Sequence, residues 1–290
     1  MTMDRPTILS EAKGLSRRGI ERVVAGTPTS DGAGVRLTRL IGTAQLPDLD
    51  PFLLLDEFRS DDAGDYIAGF PDHPHRGFET VTYMLAGRMR HADNRGNSGL
   101  LRAGGAQWMT AGRGIVHSEM PEQQDGLMWG FQLWVNLPAA HKMTEPRYQD
   151  IAPEAIPEVP LPEGGRVRVV AGVMGDVRGP VTGIATDPVY LDVALPAGQV
   201  FAHALPVGHT AFIYLYDGAV SVGGTALRRG DLGVLGDGTR VEIESSGRPA
   251  RLLLVAGRPL REPIARWGPF VMNTPEQIRQ AIADYQMGRF

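Results

Sequence analysis

The 290-residue sequence contains no cysteine. This absence excludes a disulfide framework, a thiolate nucleophile and every zinc site that depends on cysteine ligands. Any bound metal ion must therefore be held by histidine and carboxylate side chains.

Long apolar runs and strong charge are also missing. No stretch reaches the roughly 18 apolar residues of a membrane span, and the amino-terminal segment MTMDRPTILSEAKG has no apolar core of signal-peptide length. With 29 Lys and Arg against 33 Asp and Glu, the net charge is -4, and no block of five or six like charges occurs. We therefore expect a cytoplasmic protein that binds neither membranes nor nucleic acids directly.

Glycine and proline, by contrast, are abundant. The 37 Gly and 22 Pro are spread along the whole chain, a distribution typical of many short strands joined by turns. Two β-rich blocks are separated by QDIAPEAIPEVPLPEGG, in which prolines alternate with acidic and apolar residues. We predict an amino-terminal, metal-binding barrel over residues 1–148, a linker over 149–165 and a carboxyl-terminal barrel without metal ligands over 166–290.

The two blocks resemble each other. TVTYMLAGRMR followed by LLRAGGAQWMT matches AFIYLYDGAVSV followed by ALRRGDLGVLG in turn placement and apolar alternation, which predicts a duplicated β-barrel. Aligning the two halves places Ala204 and Pro206 where the first half has His73 and His75. The second half is therefore predicted to lack the histidine pair.

One helix is predicted, in NTPEQIRQAIADYQMG near the carboxyl end. Thr274 suits the N-cap, Pro275 suits the first helical position, and Gln277 completes a capping box. Gly288 can end the helix. The predicted docking face consists of Ile278, Ile282 and Tyr285.

Two pairs of potential metal ligands share one spacing. His73 and His75 lie two residues apart in FPDHPHRGFETV, as do His117 and Glu119 in GRGIVHSEM. Side chains i and i+2 of a strand point to one face, so each pair can converge on one ion. Three imidazoles and one carboxylate suit a divalent first-row metal and leave positions open for water or substrate. The alternative for the HxH pair alone is two solvated loop histidines.

The segments FPDHPHRGFETVTYMLAGRMRHAD, GGAQWMTAGRGIVHSEMPE and GFQLWVNLP closely resemble the pirin family, a branch of the cupin superfamily. The resemblance continues through ARWGPFVMNTPEQIRQAIADYQMGRF. It implies an all-β bicupin, with two cupin β-barrels face to face, a short carboxyl-terminal helix and one metal ion in the first barrel. The ligands that it implies are the four that the spacing indicates: His73, His75, His117 and Glu119.

The resemblance also implies a function. Bacterial pirin-like proteins are associated with ring opening of flavonols such as quercetin by O₂, and the resemblance implies the same activity here. We hypothesise that Glu119 acts in this reaction as both metal ligand and base. We expect Fe(II), although Mn, Ni, Cu, Co and Zn accept the same ligands. One alternative is a non-enzymatic, iron-dependent regulator that acts through a protein partner, as eukaryotic pirins are linked to transcription. Another is a cupin isomerase or sugar-binding barrel, which the lack of a phosphate cradle disfavours.

The roles of several other residues stay open. Cupins commonly take a glutamate ligand from the strand after HxH, which offers Glu79, but we expect Glu79 to orient a ligand or to pair with an arginine. His91 could bond to Asp93 at a strand end or lie at the pocket rim. The remaining histidines, expected at the surface or in a satisfied core, are His141, His203 and His209. The residues expected to fill the barrel are Trp108, Trp129 and Trp134, and those expected to form a pocket wall are Phe70, Phe78 and Met109.

Overall fold

The computed structural model describes residues 16–290. The segment MTMDRPTILSEAKG, with its predicted lack of a signal peptide, lies outside the described residues. The strands up to residue 160 are β1 (Ile20–Ala25), β2 (Thr27–Asp31), β3 (Val35–Ile41), β4 (Phe52–Ser60), β5 (Phe70–His75), β6 (Phe78–Ala86), β7 (Arg88–Asp93), β8 (Ser98–Arg102), β9 (Ala106–Thr110), β10 (Ile115–Pro121), β11 (Met128–Asn136), β12 (Arg147–Ile151) and β13 (Glu158–Pro160).

The later strands are β14 (Arg166–Ala171), β15 (Val173–Met174), β16 (Val177–Arg178), β17 (Val189–Leu195), β18 (Val200–Ala204), β19 (Thr210–Asp217), β20 (Ala219–Val222), β21 (Thr225–Arg228), β22 (Asp231–Leu235), β23 (Arg240–Ser245), β24 (Ala250–Gly257), β25 (Ala265–Trp267) and β26 (Phe270–Met272). The helix α1 spans Pro275–Gln286. Short 3₁₀ turns occur at Ala63–Asp65, Ala139–His141, Pro153–Ala155 and Pro162–Gly164.

The strands form two barrels of the same design. In the first, a seven-stranded sheet in the order β12-β9-β6-β11-β4-β3-β2 accompanies a four-stranded sheet in the order β5-β10-β7-β8. In the second, the orders are β1-β22-β19-β24-β17-β14-β13 and β18-β23-β20-β21. For residues 16–290, the predicted all-β class, duplicated barrel and single carboxyl-terminal helix are confirmed.

The alternation of β6 separates two environments within the first barrel. Thr82 faces inward, where its hydroxyl contacts Glu119 of the opposite sheet. Val81 and Tyr83 face outward and lie in an apolar cluster shared with the second barrel. This cluster includes Phe212 and Tyr214 of β19, so the large sheets of the two barrels pack face to face.

Segments cross the predicted division between the barrels. Strand β1 pairs with β22 and thus completes the sheet of the second barrel. Within residues 149–165, the end of β12 pairs with β9 of the first barrel, and β13 pairs with β14 of the second. The boundaries at 148, 149 and 165 stay a prediction, but the chain between the barrels is structured and hydrogen-bonded to both.

The carboxyl-terminal helix forms as the sequence predicts. The Thr274 hydroxyl accepts a hydrogen bond from the backbone N–H of Gln277, and the Gln277 side chain accepts one from the backbone N–H of Thr274. These two bonds complete the capping box. Ile278 and Ala281 are buried against the β25–β26 hairpin, next to Phe270. Within the described residues, no helix has the length and apolar character of a membrane span.

Candidate metal centre

Strands β5 and β10 bring the two predicted ligand pairs together. The strands run antiparallel, with His73 opposite His117. A register irregularity follows His117, so that Glu119 lies opposite Phe70 on one side and His91 of β7 on the other. Two pairs that are distant in sequence therefore share one region inside the first barrel.

The three histidine rings form a close group. The Nε2 atoms of His73 and His75 are 3.0 Å apart. The ring centroid of His117 lies 4.4 Å from that of His73 and 5.0 Å from that of His75. One ring nitrogen from each histidine lies within 4.8 Å of the other two. In metal sites with three histidine ligands, the ligand nitrogens are grouped in this way around one ion.

Hydrogen bonding leaves the inward nitrogens available. His73 Nδ1 lies 2.8 Å from the carbonyl oxygen of Pro71. Because a carbonyl only accepts, Nδ1 carries the proton and neutral His73 presents a lone pair at Nε2. His117 is buried, and among residues 16–290 neither of its ring nitrogens has a hydrogen-bond partner. Buried polar atoms are rarely left unsatisfied. Neutral His117 has one nitrogen with a lone pair, and a bound cation would satisfy that nitrogen.

Two of the histidines, His75 and His117, have lowered pKa values that favour the form a metal ion requires. Burial lowers the pKa of His75 and His117 well below the usual histidine value, and the neighbouring histidines lower it further. The backbone of Pro269 acts in the opposite direction on His75. Neutral imidazole is the ligating form. The donor set and its protonation therefore fit a divalent metal ion.

Glu119 lies beside the histidines but outside the 4.8 Å group that they form. Its Oε1 accepts a 2.9 Å hydrogen bond from the Thr82 hydroxyl, and its Oε2 accepts a 3.3 Å bond from Gln132 Nε2. The Thr82 hydroxyl also lies 2.6 Å from Gln132 Oε1. A hydroxyl has one proton, so Glu119 and Gln132 compete for it.

Thr82 and Gln132 are residues of the site that the sequence pattern did not indicate. Both lie on the inner faces of their strands, and Thr82 is the cross-strand neighbour of Gln132 in the β6–β11 ladder. The alternation of β6 could have predicted the inward direction of Thr82. Its contact with Glu119 depends on the opposite sheet and has no local signal.

A pocket of about 590 Å³ opens onto His73, His75 and Glu119. Phe70 lines this pocket as expected. Trp134, expected to fill the barrel, also lines it, because the inward face of β11 meets the pocket. The other apolar side chains of the wall include Leu37, Leu54, Phe58 and Met89.

The other expected wall residues lie deeper. Phe78 is fully buried and packs against the rings of His75, at 5.0 Å, and Trp134, at 4.4 Å. Met109 belongs to a separate small cluster with Ile115. Trp108 and Trp129, expected to fill the barrel, are buried in the cluster between the two barrels instead.

Charged groups form one side of the pocket. Arg39 donates to both carboxylate oxygens of Asp56, at 2.8 and 2.7 Å, and to Asp31 at 2.7 Å. Asp56 is buried, and the bidentate contact satisfies both of its oxygens. Arg266 also lines the pocket and is part of the β25–β26 hairpin.

Glu79 faces away from the centre, so the expectation that it orients a ligand or pairs with an arginine is wrong. It lies on the outer face of β6, where Oε1 accepts a 2.7 Å bond from Thr110 and Oε2 has no partner among the described residues. Three residues separate Glu79 from Thr82, so the pleat places the two side chains on opposite faces. The same parity excludes Glu79 as a ligand.

His91 has different partners from those considered. Its Nδ1 lies 2.6 Å from Gln107 Nε2, and its ring stacks on Tyr148. Asp93 does not bond to it, because the Asp93 carboxylate accepts from the turn at Arg95 and Asn97. His91 is buried and is not among the residues that line the pocket.

The second barrel has a different interior. Strands β18 and β23, the counterparts of β5 and β10, pair Phe201 with Ile243 and His203 with Val241. The sequence alignment that predicts Ala204 and Pro206 at the histidine positions is displaced, because residues 205–209 make a longer connection than residues 76–77. Among the described residues, the three-histidine group occurs in the first barrel only.

His141 and His209 have no part in the centre. His141 is exposed, as expected for a surface residue. His209 is buried, and its Nδ1 lacks a partner among the described residues. The structure therefore separates His73, His75 and His117 from the other histidines.

Comparisons with known proteins agree with this architecture. The family model described as Pirin matches residues 34–135, and the model described as Pirin C-terminal cupin domain matches residues 190–290. A pirin-like protein of Caulobacter vibrioides is 52% identical over 274 residues, which cover 94% of this chain and 99% of that protein. The pirin of Homo sapiens is 43% identical over 277 residues, which cover 93% of each.

A solved structure gives the same result. The quercetin 2,3-dioxygenase from Acinetobacter baumannii matches with a TM-score of 0.87 and 34% identity, over 95% of this chain and 99% of that chain. The two barrels together with these matches confirm the predicted bicupin fold.

Proposed function

Because the chain belongs to the pirin family, we propose that it is a metal-dependent dioxygenase that opens flavonols such as quercetin with O₂. The observation that carries this proposal is the group of three imidazoles beside a pocket of about 590 Å³. Within this group, His75 and His117 have buried nitrogens without a hydrogen-bond partner among residues 16–290. The name of the Acinetobacter baumannii protein supports the substrate class. A pocket of this volume is of the size that binds small organic molecules.

Four side chains are proposed to hold the ion: His73, His75, His117 and Glu119. Imidazole and carboxylate suit several first-row metals, and we propose Fe(II) among them. When bound, the ion would acidify a coordinated hydroxyl and supply the redox chemistry that O₂ requires. The buried histidines would keep it with neutral nitrogen ligands.

Glu119 is proposed to act as the base. One of its oxygens would bind the ion, and the other would take the proton of the flavonol 3-hydroxyl. The hydrogen bond from Gln132, at 3.3 Å, is the longer of the two that Glu119 accepts. It would break first and free that oxygen for the proton. The deprotonated flavonol is more electron-rich and therefore reacts more readily with O₂. Thr82, at 2.9 Å, would hold the carboxylate in place.

The pocket wall is suited to a flat polyphenol. Trp134 and Phe70 offer aromatic surface, and Leu54 and Phe58 add apolar surface. The charged side at Arg39 and Asp56 can meet hydroxyl groups at the edge of such a molecule. The regulator alternative is not favoured, because three of the four proposed ligands, His73, His75 and Glu119, line a pocket and not a flat surface for a protein.

Elemental analysis of the purified protein combined with an aerobic quercetin assay tests the proposal. We expect one transition-metal ion per chain and quercetin consumption that needs both the metal and O₂. The matched control is His141→Ala, an exposed histidine, against His117→Ala. Metal-loaded protein that leaves quercetin intact would contradict the dioxygenase. Metal-dependent capture of one cellular protein by such a sample would then support the regulator.

A further inference from the structure

The second half of the chain supplies part of the pocket in the first barrel. Arg266, Gly268 and Pro269 of the β25–β26 hairpin line the pocket. The hairpin is held beside the ligand strand, since Val271 N donates to Arg76 O at 3.0 Å, directly after His75. Residues from outside the metal-binding barrel therefore contact whatever occupies the pocket.

Gly77 allows this close approach. Its φ is +88°, and a Cβ added there would lie 1.9 Å from the carbonyl oxygen of Val271. Any side chain would push the hairpin away from the ligand strand. The position of Arg266 at the pocket is therefore a consequence of tight docking behind the HxH motif.

Arg266 lies over an aromatic side chain of the pocket wall. Its guanidinium carbon is 4.9 Å from the ring centroid of Trp134. The same Trp134 ring lies 5.3 Å from the ring of His75, edge to face. Trp134 thus connects the arginine with the metal-ligand group, and the indole holds the guanidinium plane at the pocket wall.

The two pocket arginines differ in how they are satisfied. Arg39 is engaged by Asp56 and Asp31. Arg266 makes one long hydrogen bond, at 3.3 Å to the carbonyl oxygen of Leu53, and no carboxylate oxygen of residues 16–290 lies within 4.0 Å of it. Its side chain is exposed. A guanidinium has five N–H donors, so most donors of Arg266 are free for a ligand.

We propose that Arg266 determines substrate specificity by binding an acidic oxygen of the aromatic substrate, on a ring remote from the oxygens that meet the metal. This proposal rests on the proposed flavonol substrate, and it identifies the part of that substrate that the second half of the chain contacts. A phenolic hydroxyl or phenolate is the group that fits, because a guanidinium donates charge-assisted hydrogen bonds to it. A flavonol without remote hydroxyls offers Arg266 no acceptor.

Binding without turnover tests this role. Quercetin and 3-hydroxyflavone, which has only the chelating hydroxyl, are titrated anaerobically into metal-loaded protein, with quenching of tryptophan fluorescence as the readout. We expect quercetin to bind roughly tenfold more tightly in the wild type, as a charge-assisted hydrogen bond predicts. Arg266→Met should reduce this ratio to near one, and Arg266→Lys should keep part of it.

The control is Arg279→Met, which changes an exposed arginine on α1 and should keep the wild-type ratio. An unchanged ratio in Arg266→Met would overturn the proposal, as would a wild type that binds the two flavonols equally or binds neither. Admitting O₂ afterwards separates the two proposals. Discriminating binding without quercetin consumption would contradict the dioxygenase and leave the role of Arg266 intact.

Discussion

The Tyr83 hydroxyl of the first barrel donates a 2.7 Å hydrogen bond to Asp192 Oδ2 of the second. The Tyr214 hydroxyl of the second barrel donates in turn to Glu57 of the first. Glu57 and Tyr83 lie on either side of the same residue of β11. Asp192 and Tyr214 lie on either side of the same residue of β24. The two tyrosine–carboxylate contacts therefore join equivalent positions of the two barrels. The duplication therefore extends to a reciprocal polar contact between the barrels.

Tyr83→Phe should destabilise the protein. Asp192 is buried and would keep the hydroxyl of Tyr216 as a donor but lose that of Tyr83. An underpaired buried carboxylate costs about 1–2 kcal/mol. We expect a fall of that size in the free energy of unfolding by chemical denaturation. Tyr285→Phe removes a hydroxyl from a partly exposed tyrosine and should have no effect. Equal stabilities of the two variants would contradict the contact.

The grouping of the three histidines and the helix could be predicted from the sequence because their signals are local. Two-residue spacing predicts one face of a strand, and a capping box predicts a helix start. The partners of Glu119 could not be predicted, since Thr82 and Gln132 contact it from the opposite sheet of the barrel. Likewise, nothing near β1 indicates that its partner is β22.

Loop length caused the misplaced comparison of the two halves. A single sequence shows where strands alternate, but it does not show how many residues a connection needs. The longer connection after β18 shifts the register, so Phe201 and His203 replace the predicted Ala204 and Pro206. For Glu79, by contrast, the local pattern was sufficient. The alternation of side chains along β6 would have excluded Glu79 from the centre.

Glu119→Gln should abolish quercetin turnover and keep some bound metal. The amide preserves the shape and can still accept a bond from Thr82, but it cannot take a proton. We expect a loss of at least about 100-fold in kcat, within the range for a general base, with metal content measured by elemental analysis. Glu122→Gln, a nearby surface change that affects a pair with Arg90, is the control. Full activity of Glu119→Gln would remove the base role.

Thr82→Val should lower kcat more than it lowers metal content. Valine has the same shape but cannot donate to Glu119 Oε1, so the carboxylate loses its shorter hydrogen bond. A positioning effect of this kind costs about tenfold in rate. Thr80→Val, on the same inward face of β6, provides a matched change, and equal kinetics in both variants would contradict the role of Thr82.

Glu79→Gln should flatten the pH dependence of stability. Burial raises the pKa of Glu79 from 4.5 to about 7, so the folded state holds this proton more tightly than the unfolded state. The resulting stability is complete below about pH 4.5 and is lost as the pH rises through 7, a change of ~3 kcal/mol. Wild-type unfolding free energies should show this fall, and Glu79→Gln should show less of it. Glu163→Gln, at an exposed position, should follow the wild type.

Asp284→Asn should loosen the carboxyl-terminal helix and weaken the metal centre together. Asp284 Oδ2 accepts a 2.7 Å bond from Arg76, which is buried and directly follows His75. Burial alone would raise the pKa of Asp284, but hydrogen bonds from Arg76 and Arg289 hold it well below its usual range. The neutral amide would leave the Arg76 guanidinium without its carboxylate, at a cost of about 2 kcal/mol.

The expected results are faster hydrogen exchange in Pro275–Gln286 and a lower metal affinity, by roughly fivefold, measured by chelator competition. Glu276→Gln breaks an exposed pair with Arg279 on the same helix and should change neither. Faster exchange with unchanged metal affinity would show that Arg76 anchors the helix without positioning His75. The Arg76 carbonyl oxygen also accepts a hydrogen bond from Val271 of β26. An effect on both measurements would therefore show that the helix, the β25–β26 hairpin and strand β5 hold one another in position.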